Sequence, residues 1–404
     1  MTRLTSLVLE GVRPVDGHGR RQASGVAWRG SRLLAGRGPG PSAWRLRLDG
    51  HLAFPGLINA HDHLHLNLFP AAFDPEPLDL ALPVRDAADW VDAMRRRIER
   101  DDYRAVRAIA ADRRAWHGGL KNLLAGATTV LHHDPYLEVF RRRGFPVYVP
   151  GPINWAHSID LAGSYGPSVD AAWRDRRFDR PWFIHLAEGR DQRAGNGFRL
   201  LIATTGLAPS LRLVHGVGLS PADRRRAIAA GIGLVACPTS NQRLLGRPGP
   251  LRDFAAAGQA ALGTDSRLTG ARDLLAELRF AWTSGLATAE QLLMLVGPSA
   301  AWSCGLPDRG RLAAGLPADL VVIVDDGRPP AQQLCRSERA DLRLVLRGGR
   351  PRIADLDLQP LFAATGTPWR QVLLDGRPKL IATDLLEPLD AAGIHEPGLE
   401  AEPR

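Results

Sequence analysis

Apolar and polar positions follow two rhythms along the chain. Residues 4–50 carry short alternating runs separated by glycine: SLVLEG, GVAWRG, RLLAG and AWRLRLDG. Period-two alternation broken by Gly turns predicts a small antiparallel sheet. The same texture returns over 310–350, in ADLVVIV and LRLVLRGG. Between these two regions, apolar runs alternate with helical stretches, which is the pattern of a parallel α/β sheet. The predicted strands are AFPGLINAH (53–61), GATTVLHHD (126–134), FPVYVPG (145–151), PWFIHLAEG (181–189), LRLVHG (211–216), GIGLVACP (231–238) and QAALGTD (259–265). Helices are predicted over 118–124, 221–231, 267–286 and 289–304, the last interrupted at Gly297-Pro298.

Seven strands fall one short of a (β/α)8 TIM barrel. The shortfall lies between Gly151 and Arg180, where about one helix fits. A parallel crossover needs about a dozen residues or more. The fourth unit is therefore either compressed, with INWAHSI (153–159) as a poor strand, or missing. The predicted fold is an α/β barrel over 51–309 with a small discontinuous β-sandwich. Residues 1–50 would form its first part, and 310–404 its second part and a C-terminal tail. A chain of 404 residues is long enough for both.

Composition narrows the function classes. Hydrophobic content of 45% and charged content of 24% are those of an ordinary globular protein. No apolar run is long enough to span a bilayer, and Met1 to Glu10 shows no basic start followed by an apolar stretch and a cleavage site. The expectation is a cytoplasmic protein with no membrane partner. The three cysteines, Cys237, Cys304 and Cys335, form no CxxC pair, and Cys237 in GLVACP reads as a buried thiol. A net charge of +9 raises the question of nucleic acid. However, Lys121 and Lys379 are the only lysines, and the arginines are scattered in groups such as Arg95–Arg97, Arg141–Arg143 and Arg224–Arg226. No nucleic-acid-binding signature accompanies them. A small-molecule substrate and no nucleic-acid partner are expected, with a homodimer left open.

Chemistry-bearing residues cluster at the C-terminal ends of the predicted strands, where barrel enzymes gather their sites. The first strand ends in His61-Asp62-His63. Residues two apart in a strand share a side, so His61 and His63 can grip one ion. Later strands end in His185-Leu186-Ala187-Glu188, in His215 and in Asp265.

Five strings, PGLINAHDHLH (55–65), IHLAEG (184–189), LVHGVGLS (213–220), ACPTSNQRL (236–244) and LGTDS (262–266), resemble the amidohydrolase superfamily. The similar branch is the mononuclear one that includes cytosine and guanine deaminases and triazine hydrolases. GRLAAGLPADLVVIVDD (310–326) resembles that family's return into its small β-sandwich. The resemblance implies that His61, His63, His185 and Asp265 hold one divalent metal. Three imidazoles and a carboxylate suit zinc, with ferrous iron the alternative. Such a metal lowers the pKa of bound water toward about 7. The resemblance makes Glu188 the proton shuttle, His215 the group that orients the nucleophile or polarises the bond, and Asp265 both ligand and proton acceptor. The implied reaction is deamination of a small cyclic substrate of purine, pyrimidine, pterin or triazine type. The alternatives are hydrolysis of a C–Cl, alkylamine or cyclic amide bond at the same site, and, more remotely, a basic nucleic-acid-binding protein on a degenerate barrel. Neither Lys121 nor Lys379 ends a middle barrel strand, which argues against a lysine-bridged pair of metals.

Some residues depart from the family pattern. Ser266-Arg267 follows the aspartate where related enzymes commonly have Gly. His132-His133-Asp134-Pro135 ends the second strand, Trp155-Ala156-His157 follows the third, and His65 follows the HxH pair. Of these, His65, His133, Trp155, His157 and Arg267 are candidate substrate contacts. Arg267, two positions after Asp265, would share its side of an extended strand and pair with a substrate anion; the alternative is a salt bridge to a neighbouring loop. Ser240 and Asn241 match the family motif and are expected to shape the loop beside the site.

Overall fold

The computed structural model describes residues 6–22, 25–35, 40–72, 83–159, 161 and 165–401. Among them seven parallel strands build a barrel: β1 (Leu57–Asp62), β2 (Ala127–His132), β3 (Asn154–Ser158), β4 (Trp182–Leu186), β5 (Leu211–His215), β6 (Gly233–Ala236) and β7 (Ala260–Leu262). β1 pairs with β2, and β3 to β7 pair in chain order, all parallel. The last strand returns to the first where the Asp265 N–H donates to the His61 carbonyl at 3.1 Å. Gly263 permits this approach, since a Cβ there would meet Cβ of His61 at 2.6 Å.

The fourth unit is compressed. INWAHSI does form a strand, β3, next to β4. FPVYVPG does not: it contributes one parallel bridge, Tyr148 to Thr129. Pro146, Pro150 and Pro152 lack the N–H groups a ladder needs, so the apolar run forms no strand. No helix separates Tyr148 from β3; the short helix Val169–Arg174 lies between β3 and β4.

The predicted first strand also divides. Its early residues belong to His51–Pro55, which pairs antiparallel with Leu320–Val324, and only after Gly56 does the chain enter the barrel. His51–Pro55 sits in an eight-stranded sheet with Arg13–Pro14 and strands from 320 to 401. A four-stranded sheet is made by Ser6–Glu10, Val26–Arg29, Arg32–Leu33 and Trp44–Arg47. The Trp28 indole N–H reaches the Gly349 carbonyl at 2.9 Å and ties the two sheets together. Strands from residues 6–55 and from 320–401 thus share these two sheets.

The helices follow from their caps. α1 (Ala87–Arg97) starts at Asp86, whose carboxylate accepts from the N–H groups of Ala88 and Asp89. α2 (Ala111–Leu124) precedes β2, and α3 (Gln192–Thr205) is capped by Asp191. α4 (Pro221–Ala229) has Ser220 as cap and Pro221 in its first turn. α5 (Pro238–Leu245) follows β6 directly. α6 (Leu274–Thr283) begins at Asp273, so residues 267–273, expected to be helical, form the loop that leaves Asp265. Each such cap stabilises its helix by about 1 kcal/mol.

Strand alternation sorts the core. Ile58, Leu131, Phe183, Val214, Val235 and Ala261 pack together as one cluster inside the barrel. Their neighbours Leu57, Val130, Ile184, Leu213, Leu234 and Leu262 pack outward in the large cluster with the helices. Among the described residues no helix is long and apolar enough to cross a membrane.

Candidate functional site

Above the Phe183 layer the same inward face carries polar side chains. The β1–β2 register shifts between Asn59 and Asp62, and a bulge of this kind re-aims side chains. Nε2 of His185 lies 3.3 Å from Nε2 of His61 and 3.3 Å from Nε2 of His63. Asp265 Oδ1 is 3.7 Å from the His63 Nε2. The four residues are at most 8% exposed. Nitrogens bound tetrahedrally to zinc at about 2.0–2.1 Å stand about 3.3–3.4 Å apart, so the spacing fits one ion. A ring that keeps its proton on Nδ1 turns the lone pair of Nε2 into this buried space, which is a second point of fit. The His185 Nδ1–H is used elsewhere, donating to the His157 carbonyl at 2.8 Å.

The carboxylate of Asp265 is held from three sides. Ser240 Oγ donates to Oδ2 at 2.8 Å, Thr269 Oγ1 to the same oxygen at 2.9 Å, and the Ser266 N–H to Oδ1 at 2.8 Å. Asn241 does the parallel task for His215: its Oδ1 stands 2.8 Å from the ring Nδ1, while its own Nδ2 donates to the Pro248 carbonyl at 3.2 Å. Ser240 and Asn241 lie on α5, whose first turn is fixed by Glu277 of α6, accepting the Thr239 N–H at 2.8 Å. The PTSN motif therefore fixes the side chains of Asp265 and His215 rather than only shaping a loop.

Three strand ends carry backbone strain. Ala187, His215 and Asp265 have φ of 52°, 70° and 56°, a left-handed region that non-glycine residues seldom adopt. Such strain persists where surrounding contacts over-determine it, as at functional sites. Here it turns the chain sharply after β4, β5 and β7.

Glu188 follows the first of these turns. Its carbonyl accepts the Ala87 N–H at 2.9 Å, which anchors it to the start of α1. Its carboxylate lies 3.7 Å from the His215 Nε2. Burial pushes the Glu188 carboxyl above its ordinary value of 4.5, with the His215 ring opposing. Burial likewise drives the His61 and His185 rings far below the usual imidazole value, and the crowd of neighbouring rings adds to it. Burial opposes charge on His63 too, but the Asp134 carboxylate beside it prevails and holds that ring up at about 9.

A cavity of about 490 Å³ opens over this cluster. His63, His185, Glu188, His215 and Asp265 form its floor; Trp90 and Val91 of α1, Leu161 and Leu268 supply apolar wall. Of the candidate substrate contacts, His65 and His157 line the cavity, and burial lowers each ring to about 4, leaving both neutral. His133 and Trp155 do not line it. His133 is fully buried behind His61, with Nδ1 3.3 Å from that ring's Nδ1 and Nε2 3.3 Å from the Ala156 carbonyl. With both nitrogens engaged, His133 stands behind the cluster of His61, His63, His185 and Asp265, although its ring is close to those of His61 and His185. Trp155 packs into the barrel interior, edge-on to His133 at 5.7 Å. Arg267 also departs from expectation. The turn at Asp265 ends extended geometry, and Arg267 points to Glu396 at 3.8 Å, outside the cavity lining.

Sequence reasoning passed over Asn59 and Asp62. Asn59 Nδ2 donates to Asn122 Oδ1 and Thr264 Oγ1, both at 2.8 Å, and Asp62 accepts from Asn122 and Asn67 at 2.8 and 2.7 Å. This fully buried web binds β1, α2 and the end of β7 beneath the histidines. Lys121 joins it through Asn67 at 2.6 Å. The available signal was an Asn and an Asp beside His61 in a strand that begins apolar, since buried polar groups require partners.

Comparison with known proteins follows the same lines. No family model matches the chain. It is 31% identical over 216 residues to a 5-methylthioadenosine/S-adenosylhomocysteine deaminase of Pelotomaculum thermopropionicum, covering 49% of this chain and 48% of the relative. It is 32% identical over 216 residues to an 8-oxoguanine deaminase of Pseudomonas aeruginosa, covering 46% and 48%. The chain spans about half the length of these two curated relatives. Among solved structures it resembles an atrazine chlorohydrolase from Arthrobacter aurescens TC1 complexed with zinc, with a TM-score of 0.67 at 19% identity over 89% of this chain and 99% of that one. An adenosine deaminase from Xanthomonas campestris with bound zinc gives a TM-score of 0.66 at 19% identity, over 90% and 97%. These likenesses establish the barrel fold.

Proposed function

We propose that this chain is a member of the amidohydrolase superfamily, a metal-dependent hydrolase that deaminates a small nitrogen heterocycle. The carrying observation is the convergence of the Nε2 atoms of His61, His63 and His185 beside Asp265, under a cavity that Glu188 and His215 also reach. Those four residues would hold one divalent ion, zinc before ferrous iron, as three imidazoles and a carboxylate favour. The two curated relatives named as deaminases and the zinc-bound structural neighbours support this reading.

When bound, the ion supplies Lewis acidity and lowers the pKa of water. Proton handling belongs to the protein. Glu188 takes a proton from the attacking water at its carboxylate and passes it to the substrate nitrogen, so that one water is consumed and one ammonia released. Because Asn241 accepts from the His215 Nδ1–H, the ring turns its Nε2 toward the cavity and Glu188, where it orients the reacting oxygen. The apolar walls Trp90, Leu161 and Leu268 match a flat ring and limit water around it.

The test combines elemental analysis with a substrate panel. Purified protein should hold about one zinc or iron per chain and release ammonia from at least one purine, pyrimidine, pterin or triazine. Release of chloride, an alkylamine or a ring-opened acid instead would replace deamination by the related hydrolysis. Two tightly held metals, or none after gentle purification, would overturn the mononuclear reading.

A further inference from the structure

The run His132-His133-Asp134-Pro135 at the end of β2 plays no part in the proposed reaction, yet two of its side chains touch the HxH pair. The His133 Nε2 faces the Ala156 carbonyl at 3.3 Å. A carbonyl only accepts, so Nε2 carries the ring proton and Nδ1 remains an acceptor. That Nδ1 stands 3.3 Å from Nδ1 of His61, which must then donate. A neutral imidazole has one N–H, so His61 keeps a bare lone pair on Nε2, the atom that faces His185. Asp134 treats His63 in the same way. Its Oδ2 lies 2.6 Å from Nδ1 of His63, which leaves that ring's Nε2 bare when a metal takes it. The carboxylate is itself fixed, since the Tyr165 hydroxyl donates to Oδ1 at 2.7 Å.

His65, His132 and Asp134 lie close enough to suggest a second ion. His132 argues against it. Its Nδ1 accepts the Leu64 N–H at 3.2 Å, so its Nε2 carries the proton and has no lone pair to offer.

We propose that His133 and Asp134 are positioning residues that set the tautomer and orientation of His61 and His63, so that both present a bare Nε2 to the metal. The supports are unequal: a carboxylate behind His63 makes it the stronger donor, while His61 has only a neutral ring behind it. This inference rests on the metal reading and specifies how the chain prepares for the ion.

The test is zinc affinity, measured by competition with a chromophoric chelator, together with the melting temperature of the metal-free protein. Asp134→Ala and His133→Leu should each weaken zinc binding by about 10- to 100-fold, while the metal-free variants still melt in one cooperative transition. His133→Asn returns an acceptor near the Nδ1 position and should recover most of the loss. If His133→Leu does not fold, Asp134→Ala and Asp134→Asn carry the test, the amide keeping an acceptor without the charge and falling between wild type and Ala. Zinc binding indistinguishable from wild type in the folded variants would overturn the inference and leave the metal reading intact; a wild-type chain that binds no zinc would overturn both.

Discussion

The carboxylate of Glu188 and the Nε2 of His215 stand 3.7 Å apart across the boundary between two paired strands. This places a proton acceptor and a ring that can orient it at one cavity floor. Glu188→Gln keeps size and hydrogen bonding but cannot carry a proton. The expected outcome is unchanged fold and metal content with kcat lower by about 10²- to 10⁴-fold. The pH dependence follows from its environment. Glu188 acts ionised and burial raises its pKa above 4.5, so activity is present above that raised pKa and falls as pH drops through it. The acid limb of a kcat–pH profile should therefore lie above pH 4.5. A variant that retains most of its activity would remove Glu188 from the shuttle role, and one that loses its metal would make it a ligand.

Asn241 fixes His215 through a single hydrogen bond of 2.8 Å. Asn241→Ala leaves the ring free to turn and should lower kcat by about 10²-fold, the scale of a small misplacement of a catalytic group. Metal content should stay at the wild-type level, because His215 is not among the four converging ligands. Equal loss of metal and activity in atomic absorption and steady-state assays would contradict this division of labour.

The strand ends that carry His61, His185, His215 and Asp265 were legible in the sequence because each is an apolar run closing on a polar residue, and the barrel was legible for the same reason. Other features were hidden. FPVYVPG has the apolar texture of a strand, but three prolines in and beside it deny it a ladder. Arg267 was expected on the side of Asp265, yet the left-handed turn at Asp265 reverses its direction, and periodicity does not report φ. His133 and Asp134 were visible as unusual residues, but the direction a side chain takes after the last strand residue depends on contacts from β1. Asn59 and Asp62 were hidden by the histidines beside them.

Glu277 is fully buried, and burial raises its carboxyl to about 7. A group whose pKa rises on folding contributes stability that is present below its unfolded value and lost as pH climbs through the folded one. Here that window runs from 4.5 to about 7. Glu277→Gln keeps an acceptor for the Thr239 N–H without a charge to bury. In urea titrations the variant should gain on wild type as pH rises through this window, by on the order of 1–3 kcal/mol at high pH. A constant difference between pH 5 and 8 would show that Glu277 does not titrate there.

Arg267 faces Glu396, which also accepts from Arg339 at 2.6 Å and stands 2.9 Å from the His117 Nε2. Arg267→Ala should therefore change KM equally for anionic and neutral substrates and lower stability by no more than about 1 kcal/mol. A selective rise in KM for anions would return Arg267 to the substrate.

The pairing of His51–Pro55 with Leu320–Val324 has a consequence for biosynthesis. A ribosome adds about 5–20 residues per second, so the earlier segment waits roughly 13 to 50 seconds for its partner to emerge. During that interval Leu52, Ala53 and Phe54, all fully buried in the finished fold, belong to an unpaired strand edge on a nascent chain. The barrel strands between them are translated first, and the sheet that joins the two ends can close only after them. Expression yield should thus depend on translation speed and on holdase chaperones acting on the first 60 or so residues, more than on the final stability of the barrel.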